Sequence, residues 1–439
     1  MDLQKKKNWN AWAMYDWANS AYNLVITSTI FPAYYDAITT TKDTGGNVLS
    51  HKVTFMGATL ESASLYNYAL AFAYLVIAVL SPILSSIADY RSNKKAFMKF
   101  FCYTGSLACC SMYFFSRDTL WLGIAGCIVA AIGYCGSLVF YNAFLPEIAD
   151  VDDRDKVSAR GYSYGYIGSV ILQLICFLFV LKPELFGITD AGFAPRLSFL
   201  LVGLWWMGFA QIPFRTLKEA PPRERSHTRN IFTAGFAELG LVWQQISKLK
   251  VLKRYLFAFF FYSMGVQTVM LAATLFGSQV LQMSTQDLIV CILVIQLVAI
   301  LGAIIMARLS QRFGNFQVLM FVLLIWIGVC AAAYYTTTAN QFYMLAVAVG
   351  LVMGGIQSLS RSTYSKVMPE TNDTASFFSF YDVTEKVAIV IGMFSFGFIQ
   401  DMTGSMRNAI FALIIFFAIG FFGLLGVLLT QRKQKLIVT

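Results

Sequence analysis

Residues 119–147 read TLWLGIAGCIVAAIGYCGSLVFYNAFLPE, and no charge interrupts them before Glu147. A helix needs about 20 mostly apolar residues to cross roughly 30 Å of hydrocarbon, so this stretch is long enough to span a bilayer. Its end then recurs. Tyr141, Pro146 and Glu147 are matched by Tyr364, Pro369 and Glu370, each pair offset by 223 residues. The stretch therefore reads as one membrane span and also as part of a repeated unit.

Outward from it, uncharged stretches give twelve candidate spans, near 10–35, 65–88, 97–116, 119–145, 160–181, 197–215, 254–278, 287–308, 317–336, 341–366, 375–400 and 407–430. Composition agrees: apolar residues make up 58% of 439 and charged residues only 13%, with a mean hydropathy of +0.63. A soluble chain of this size carries more charge. The ten-residue alternation of a membrane β-barrel is absent. The expected fold is all-α and integral to the membrane, a bundle of twelve transmembrane helices in two pseudo-symmetric six-helix halves.

A second correspondence supports duplication. Asp89-Tyr90-Arg91-Ser92-Asn93 follows span 2, and Gln311-Arg312-Phe313-Gly314-Asn315 follows span 8, offset by 222. The expected division is 1–215 for the first half, 216–253 for a linker around Pro221 and Pro222, 254–430 for the second half and 431–439 for a tail. Mixed apolar and basic residues over 231–250 fit a helix along the membrane surface. Two repeated halves make a midplane cavity and alternating access natural.

The net charge of +10 is a topology signal. Lys5, Lys6 and Lys7, Arg91 to Lys99, Arg154 to Arg160, the 216–253 segment and Arg432 to Lys435 share one side. The positive-inside rule puts that side, with both termini, in the cytoplasm. Basic residues scattered over short loops exclude a nucleic-acid surface. All eight cysteines fall inside spans, as packing thiols do. His51 and His227 lie in loops on opposite sides and cannot build a zinc site. Without an in-span histidine, an intramembrane enzyme lacks the base that nucleophilic catalysis needs. No Walker-type loop is present, so direct ATP use is not expected. Neither a cofactor nor a metal is implied.

Polar residues at membrane depth are costly and so become site candidates. In span 1, Asp16, Asn19 and Asn23 fall at i, i+3 and i+7, on one helical face. Span 11 carries Asp382, Glu385 and Lys386. Asp382 and Lys386 are spaced to pair, which leaves Glu385 without an intrahelical partner and available as a proton carrier. Lys386 could instead hold a substrate carboxylate. In span 10, Gln357 and Arg361 sit in a dense polar segment. Arg361 either snorkels to the interface or pairs with Asp16 or Asp382. Trp9, Trp12 and Trp17 fit an interface belt. A structural role, pinning helices together, is open for each of these groups.

The turns after spans 2 and 8 resemble the signature of the major facilitator superfamily, in degraded form. Asp89, Lys94 and Lys95 are kept; Ser85 and Ser92 stand where glycines are expected, and Gln311 replaces the second acid. A narrower resemblance is to the vacuole effluxer, autophagy-related branch. It rests on Tyr15-Asp16-Trp17-Ala18-Asn19-Ser20-Ala21-Tyr22, Leu145-Pro146-Glu147-Ile148-Ala149-Asp150, Gly354-Gly355-Ile356-Gln357-Ser358-Leu359-Ser360-Arg361-Ser362 and Phe377-Phe378 with Tyr381-Asp382. Compact loops look more like the bacterial members. The resemblance implies a secondary transporter whose spans 1, 4, 7 and 10 line the cavity, which adds Asn142, Tyr262 and Gln267 to the lining. Asp89, Arg91, Lys94, Glu147 and Arg312 become a cytoplasmic gate. The expected function is movement of a small polar metabolite, with an amino acid or short peptide as the first candidate, driven by protons or another coupling ion. The chain would act as a monomer in a lipid bilayer, the bacterial inner membrane. A transport-dead receptor or scaffold, or a sugar, muropeptide or drug transporter, are the alternatives.

Overall fold

The computed structural model describes residues 3–43, 48–219 and 231–438. Pro221, Pro222 and His227 lie outside the described residues. The first half contains α1 (Leu3–Ala21), α2 (Ile30–Thr39), α3 (Ser62–Arg91), α4 (Lys94–Ser111), α5 (Leu120–Ala143), α6 (Leu145–Ile148), α7 (Arg154–Leu181), α8 (Phe193–Phe209) and α9 (Gln211–Thr216). After α10 (Ile231–Lys248), the second half contains α11 (Lys250–Gln279), α12 (Thr285–Phe313), α13 (Asn315–Tyr335), α14 (Ala339–Val367), α15 (Thr374–Thr403) and α16 (Met406–Val438).

These elements make twelve passes, so the chain enters and leaves at the same end of the bundle. That end carries Lys94, Arg154, Arg308 and Lys366 and is called the basic end below. Among the described residues, nine helices are long and apolar enough to cross a membrane by length and composition. The other three passes are less apolar: the α1–α2 pass holds Asp16, α4 begins with Lys94 and Lys95, and α15 holds Asp382, Glu385 and Lys386. Charge lowers apolarity where chemistry is concentrated, so the three weakest spans deserve the closest reading.

The halves repeat the same packing. α1 runs along α7 as α11 runs along α15, α3 meets α5 as α12 meets α14, and α4 meets α8 as α13 meets α16. Small residues set the closest approaches. A Cβ on Gly354 in α14 would stand 2.0 Å from the Ala299 carbonyl oxygen of α12, so the absence of a side chain lets the backbones touch. Two seams join the halves, α3 against α15 and α7 against α12.

Three local features were not expected. Between α1 and α2 the chain widens into π-helix over Tyr22–Thr29. Ser28 Oγ and Thr29 Oγ1 donate to the carbonyls of Asn23 and Leu24, five residues back. Such widened turns recur at functional sites. Between α2 and α3, two short hairpins form, Thr41–Lys42 with Val48–Ser50 and Lys52–Phe55 with Ala58–Glu61. The second turns at Met56 and Gly57, both at positive φ (48° and 83°), as a two-residue hairpin turn requires. Finally, α10 packs against α3 and α15. Its Val242 and Ile246 are buried, and the Trp243 ring lies 5.7 Å from that of Phe380. The helix is therefore docked across the halves.

Candidate functional site

Two ionic clusters lie inside the bundle. The first joins the halves. Arg361 of α14 is buried, and its Nη1 and Nη2 each donate to Asp16 Oδ2 of α1 at 3.1 Å. Tyr141 Oη donates to the same oxygen at 2.7 Å. Arg361 also donates from Nε to Ser158 Oγ at 3.0 Å, from Nη2 to the Ser158 carbonyl at 2.9 Å and from Nη1 to Asn142 Oδ1 at 3.3 Å. The guanidinium is further held between the rings of Tyr162, 4.2 Å from its centroid, and Trp12, 4.7 Å away. Snorkelling is excluded, and the partner is Asp16, not Asp382. The cluster exists because α7 passes close to α1: a Cβ on Gly161 would stand 2.5 Å from Asp16 Oδ2.

The second cluster is on α15. Lys386 Nζ lies 3.3 Å from Asp382 Oδ1 and 3.1 Å from Glu385 Oε2. Gln267 Nε2 of α11 donates to Glu385 Oε1 at 3.2 Å. The expectation that Glu385 lacks a partner is corrected: Lys386 bridges both acids, because Nζ at the end of a long stem reaches the adjacent residue as well as i−4. The unpartnered oxygen is Asp382 Oδ2, buried with no hydrogen bond among the described residues. The Asp382 side chain is 6% exposed and that of Glu385 24%, so Glu385 is the more exposed of the two acids.

Tyrosines stand near both clusters. Tyr162, against Arg361, is within electrostatic range of both Glu385 and Lys386. Tyr74 of α3 and Tyr134 of α5 are within range of Lys386. Tyr166 Oη donates to Gln357 Oε1 at 2.7 Å. The sequence reading missed these tyrosines and Ser158. Helical spacing from Arg154 puts Ser158, Tyr162 and Tyr166 at i+4 intervals on one face of α7, a pattern that was available but not distinguishable from packing.

Toward the basic end the halves are latched twice, in related ways. In the first latch, Asp89 at the end of α3 accepts from the Ser376 backbone N–H and from Ser376 Oγ, both at 2.7 Å. These donors belong to the first turn of α15, whose helix dipole favours an anion. Lys94 pairs with Glu147, and both bond Thr374 Oγ1, Lys94 at 2.7 Å and Glu147 at 3.0 Å. In the second latch the acid has changed sides. Asp155, in the first turn of α7, accepts from Ser310 Oγ (2.7 Å), Asn315 Nδ2 (2.7 Å) and Lys366 Nζ (2.6 Å) of the second half. That exchange explains why Gln311 can stand where the first copy has Asp89. Arg154 Nη1 adds a bond to the Ser365 carbonyl at 2.6 Å.

Several expected site residues lie elsewhere. Arg91 and Arg312 are exposed and make no hydrogen bond or ion pair among the described residues; side chains at the helix ends point into solvent, so neither joins a latch. Asn19 is buried, with its Nδ2 unpartnered. Asn23 is exposed, because π-helix from Tyr22 onward changes the period on which the shared face was counted. Tyr262 is packed, its hydroxyl 2.8 Å from Ser360 Oγ and 3.1 Å from Tyr255 Oη. Trp9 and Trp12 are fully buried and donate to the carbonyls of Ile148 and Tyr141; they are not an interface belt.

Residues 4–436 match the family model described as vacuole effluxer Atg22 like. The chain is 33% identical over 416 residues to the MFS-type transporter YxiO of Bacillus subtilis, covering 94% of this chain and 93% of that protein. It is 27% identical over 393 residues to autophagy-related protein 22 of Kluyveromyces lactis, covering 82% and 78%. Among solved structures, the outward conformation of the MFS transporter FucP superposes with a TM-score of 0.71 at 13% identity, covering 95% and 98%. The human organic anion transporter MFSD10 gives 0.70 at 12%, covering 97% and 100%. At those identities the structures speak for the fold alone. With the family model covering nearly the whole chain, this protein belongs to the Atg22-like vacuole effluxer family of MFS-type transporters.

Proposed function

We propose that this transporter moves a small polar metabolite, an amino acid or short peptide, by alternating access coupled to protons, from a bacterial inner membrane with the basic end in the cytoplasm. The observation that carries this reading is the presence of two unlike ionic clusters inside one bundle, with Tyr162 held against Arg361. Arg361–Asp16 bridges the halves, with all three guanidinium nitrogens bonded. Asp382–Glu385–Lys386 lies within one half and keeps an unsatisfied carboxylate oxygen. The bridging pair suits a gate, since the halves cannot part at the basic end while it holds. The α15 cluster suits coupling and binding. A Glu385 without its charge leaves Lys386 paired with Asp382 alone, so one side of the ammonium is open to a substrate carboxylate. Symport with protons is what the fucose and xylose transporters of the same fold are described as doing.

The basic orientation rests on the positive-inside rule, and cysteine labelling of the α10 region tests it. The function itself is tested in proteoliposomes loaded with a pH dye. Addition of a panel of amino acids and dipeptides is expected to move protons with at least one member. Proton movement only with sugars overturns the substrate class. Substrate accumulation without any proton movement overturns the coupling.

A further inference from the structure

The two seams between the halves are closed differently. α10 covers the α3–α15 seam near the basic end. Among the described residues no helix covers the pseudo-symmetric α7–α12 seam in that way, and a groove of about 600 Å³ opens there. Its basic-end part is lined by Lys156 and Arg160 of α7 and Arg308 of α12, against the single carboxylate of Asp153. Arg308 and Lys156 are exposed and make no hydrogen bond or ion pair among the described residues. Arg160 keeps free donors beyond its bond to Asn10 Oδ1 at 2.7 Å. Further along lie Ile167, Ile300 and Ile304. Ser163 also lines the groove; it is 6% exposed, and its Oγ has no partner among the described residues.

We propose that this groove binds an anionic phospholipid of the adjacent leaflet. Charge complementarity identifies the headgroup: three cations and one acid leave an uncompensated positive site at the depth where phosphates lie, and basic clefts between membrane helices recognise such headgroups. The apolar part identifies a lipid in place of a soluble anion. From Lys156 to Ile167 the groove follows α7 for about 16 Å, and from Arg308 to Ile300 it follows α12 for about 12 Å, at 1.5 Å per residue. That length fits a headgroup with the upper part of an acyl chain; inorganic phosphate would leave the isoleucine wall unused. The site also has a mechanical consequence. α7 and α12 belong to opposite halves, so a lipid that touches both favours the arrangement in which the basic end is closed.

The test is native mass spectrometry of the purified full-length protein incubated with an equal mixture of phosphatidylglycerol and phosphatidylcholine. The wild type is expected to retain phosphatidylglycerol selectively. Lys156→Gln with Arg308→Gln should lower that retention on the order of tenfold, as loss of two headgroup cations implies. Ile304→Trp, which leaves every cation in place and fills the apolar part, should lower it as well. Equal retention of the two lipids overturns the proposal, as does unchanged retention in both variants. Displacement of phosphatidylglycerol by millimolar glycerol phosphate would identify a site for free anions and overturn it too.

Discussion

Asp16 and Arg361 are 345 residues apart in the chain and 3.1 Å apart in space, one in each half of the bundle. The pair has no solvent to fall back on, and the remaining guanidinium nitrogen, Nε, is bonded to Ser158, while Nη1 and Nη2 also reach Asn142 and the Ser158 carbonyl. Removing one partner of such a buried pair leaves a bare charge and costs about 3–5 kcal/mol. Asp16→Ala and Arg361→Ala are each expected to lose stability on that scale in detergent unfolding. The double variant should lose clearly less than the sum, because residues in one network do not act additively. Strictly additive losses would show that the two side chains stabilise the protein independently.

Glu385 is the more exposed acid of the α15 cluster, held by Lys386 and Gln267. Glu385→Gln keeps the hydrogen-bonding shape and removes the titratable group. It is expected to abolish proton-driven accumulation in proteoliposomes while exchange of substrate across the membrane persists. Accumulation at the wild-type level in this variant would remove Glu385 from coupling and turn attention to Asp382, whose Oδ2 lacks a partner.

The sequence made the bundle legible because hydrocarbon thickness translates directly into helix length, and duplication into matched ends. The site was legible only in kind. That Asp16, Arg361, Asp382, Glu385 and Lys386 are costly in hydrocarbon follows from their chemistry alone. Which of them meet does not, because Asp16 and Arg361 are brought together by the packing of α1, α7 and α14. Asn23 slipped from its expected face because no residue in Tyr22–Thr29 announces a π-helical turn. Asp155 was passed over for a related reason: an acid next to a helix start reads as a cap, and only the structure brings Ser310, Asn315 and Lys366 of the other half to it.

The two latches make a prediction about conformational balance. Asp89→Asn weakens the anchoring of the α15 start, and Asp155→Asn removes the acid of the α7 latch. Together they should shift the protein toward a state open at the basic end. Arg91 and Arg312 serve as reporter positions, since both are exposed, outside the latches and in opposite halves. Spin labels at Arg91→Cys and Arg312→Cys are expected to show a longer distance population in the double-latch variant. An unchanged distribution would mean that the remaining contacts across the halves, Arg361–Asp16, Lys94–Thr374 and Arg154–Ser365, hold this end closed.

Close packing of α12 against α14 supplies the last test, one of stability with a built-in control. A Cβ on Gly354 would meet the Ala299 carbonyl oxygen at 2.0 Å, which is backbone and cannot swing aside, whereas a Cβ on Gly328 meets nothing within 4 Å. Gly354→Ala therefore forces the helices apart and should cost about 1–3 kcal/mol, the usual range for overpacking. Gly328→Ala should be neutral or slightly stabilising, because alanine favours the helix. The comparison is read from thermal unfolding of both variants in the same detergent. Because α14 also carries Gln357 and Arg361, a displaced α14 should in addition weaken the Arg361–Asp16 pair, so the Gly354 variant is expected to open at the basic end more readily than the Gly328 variant. Equal behaviour of the two variants would show that α12 and α14 are held apart by more than the glycine contact.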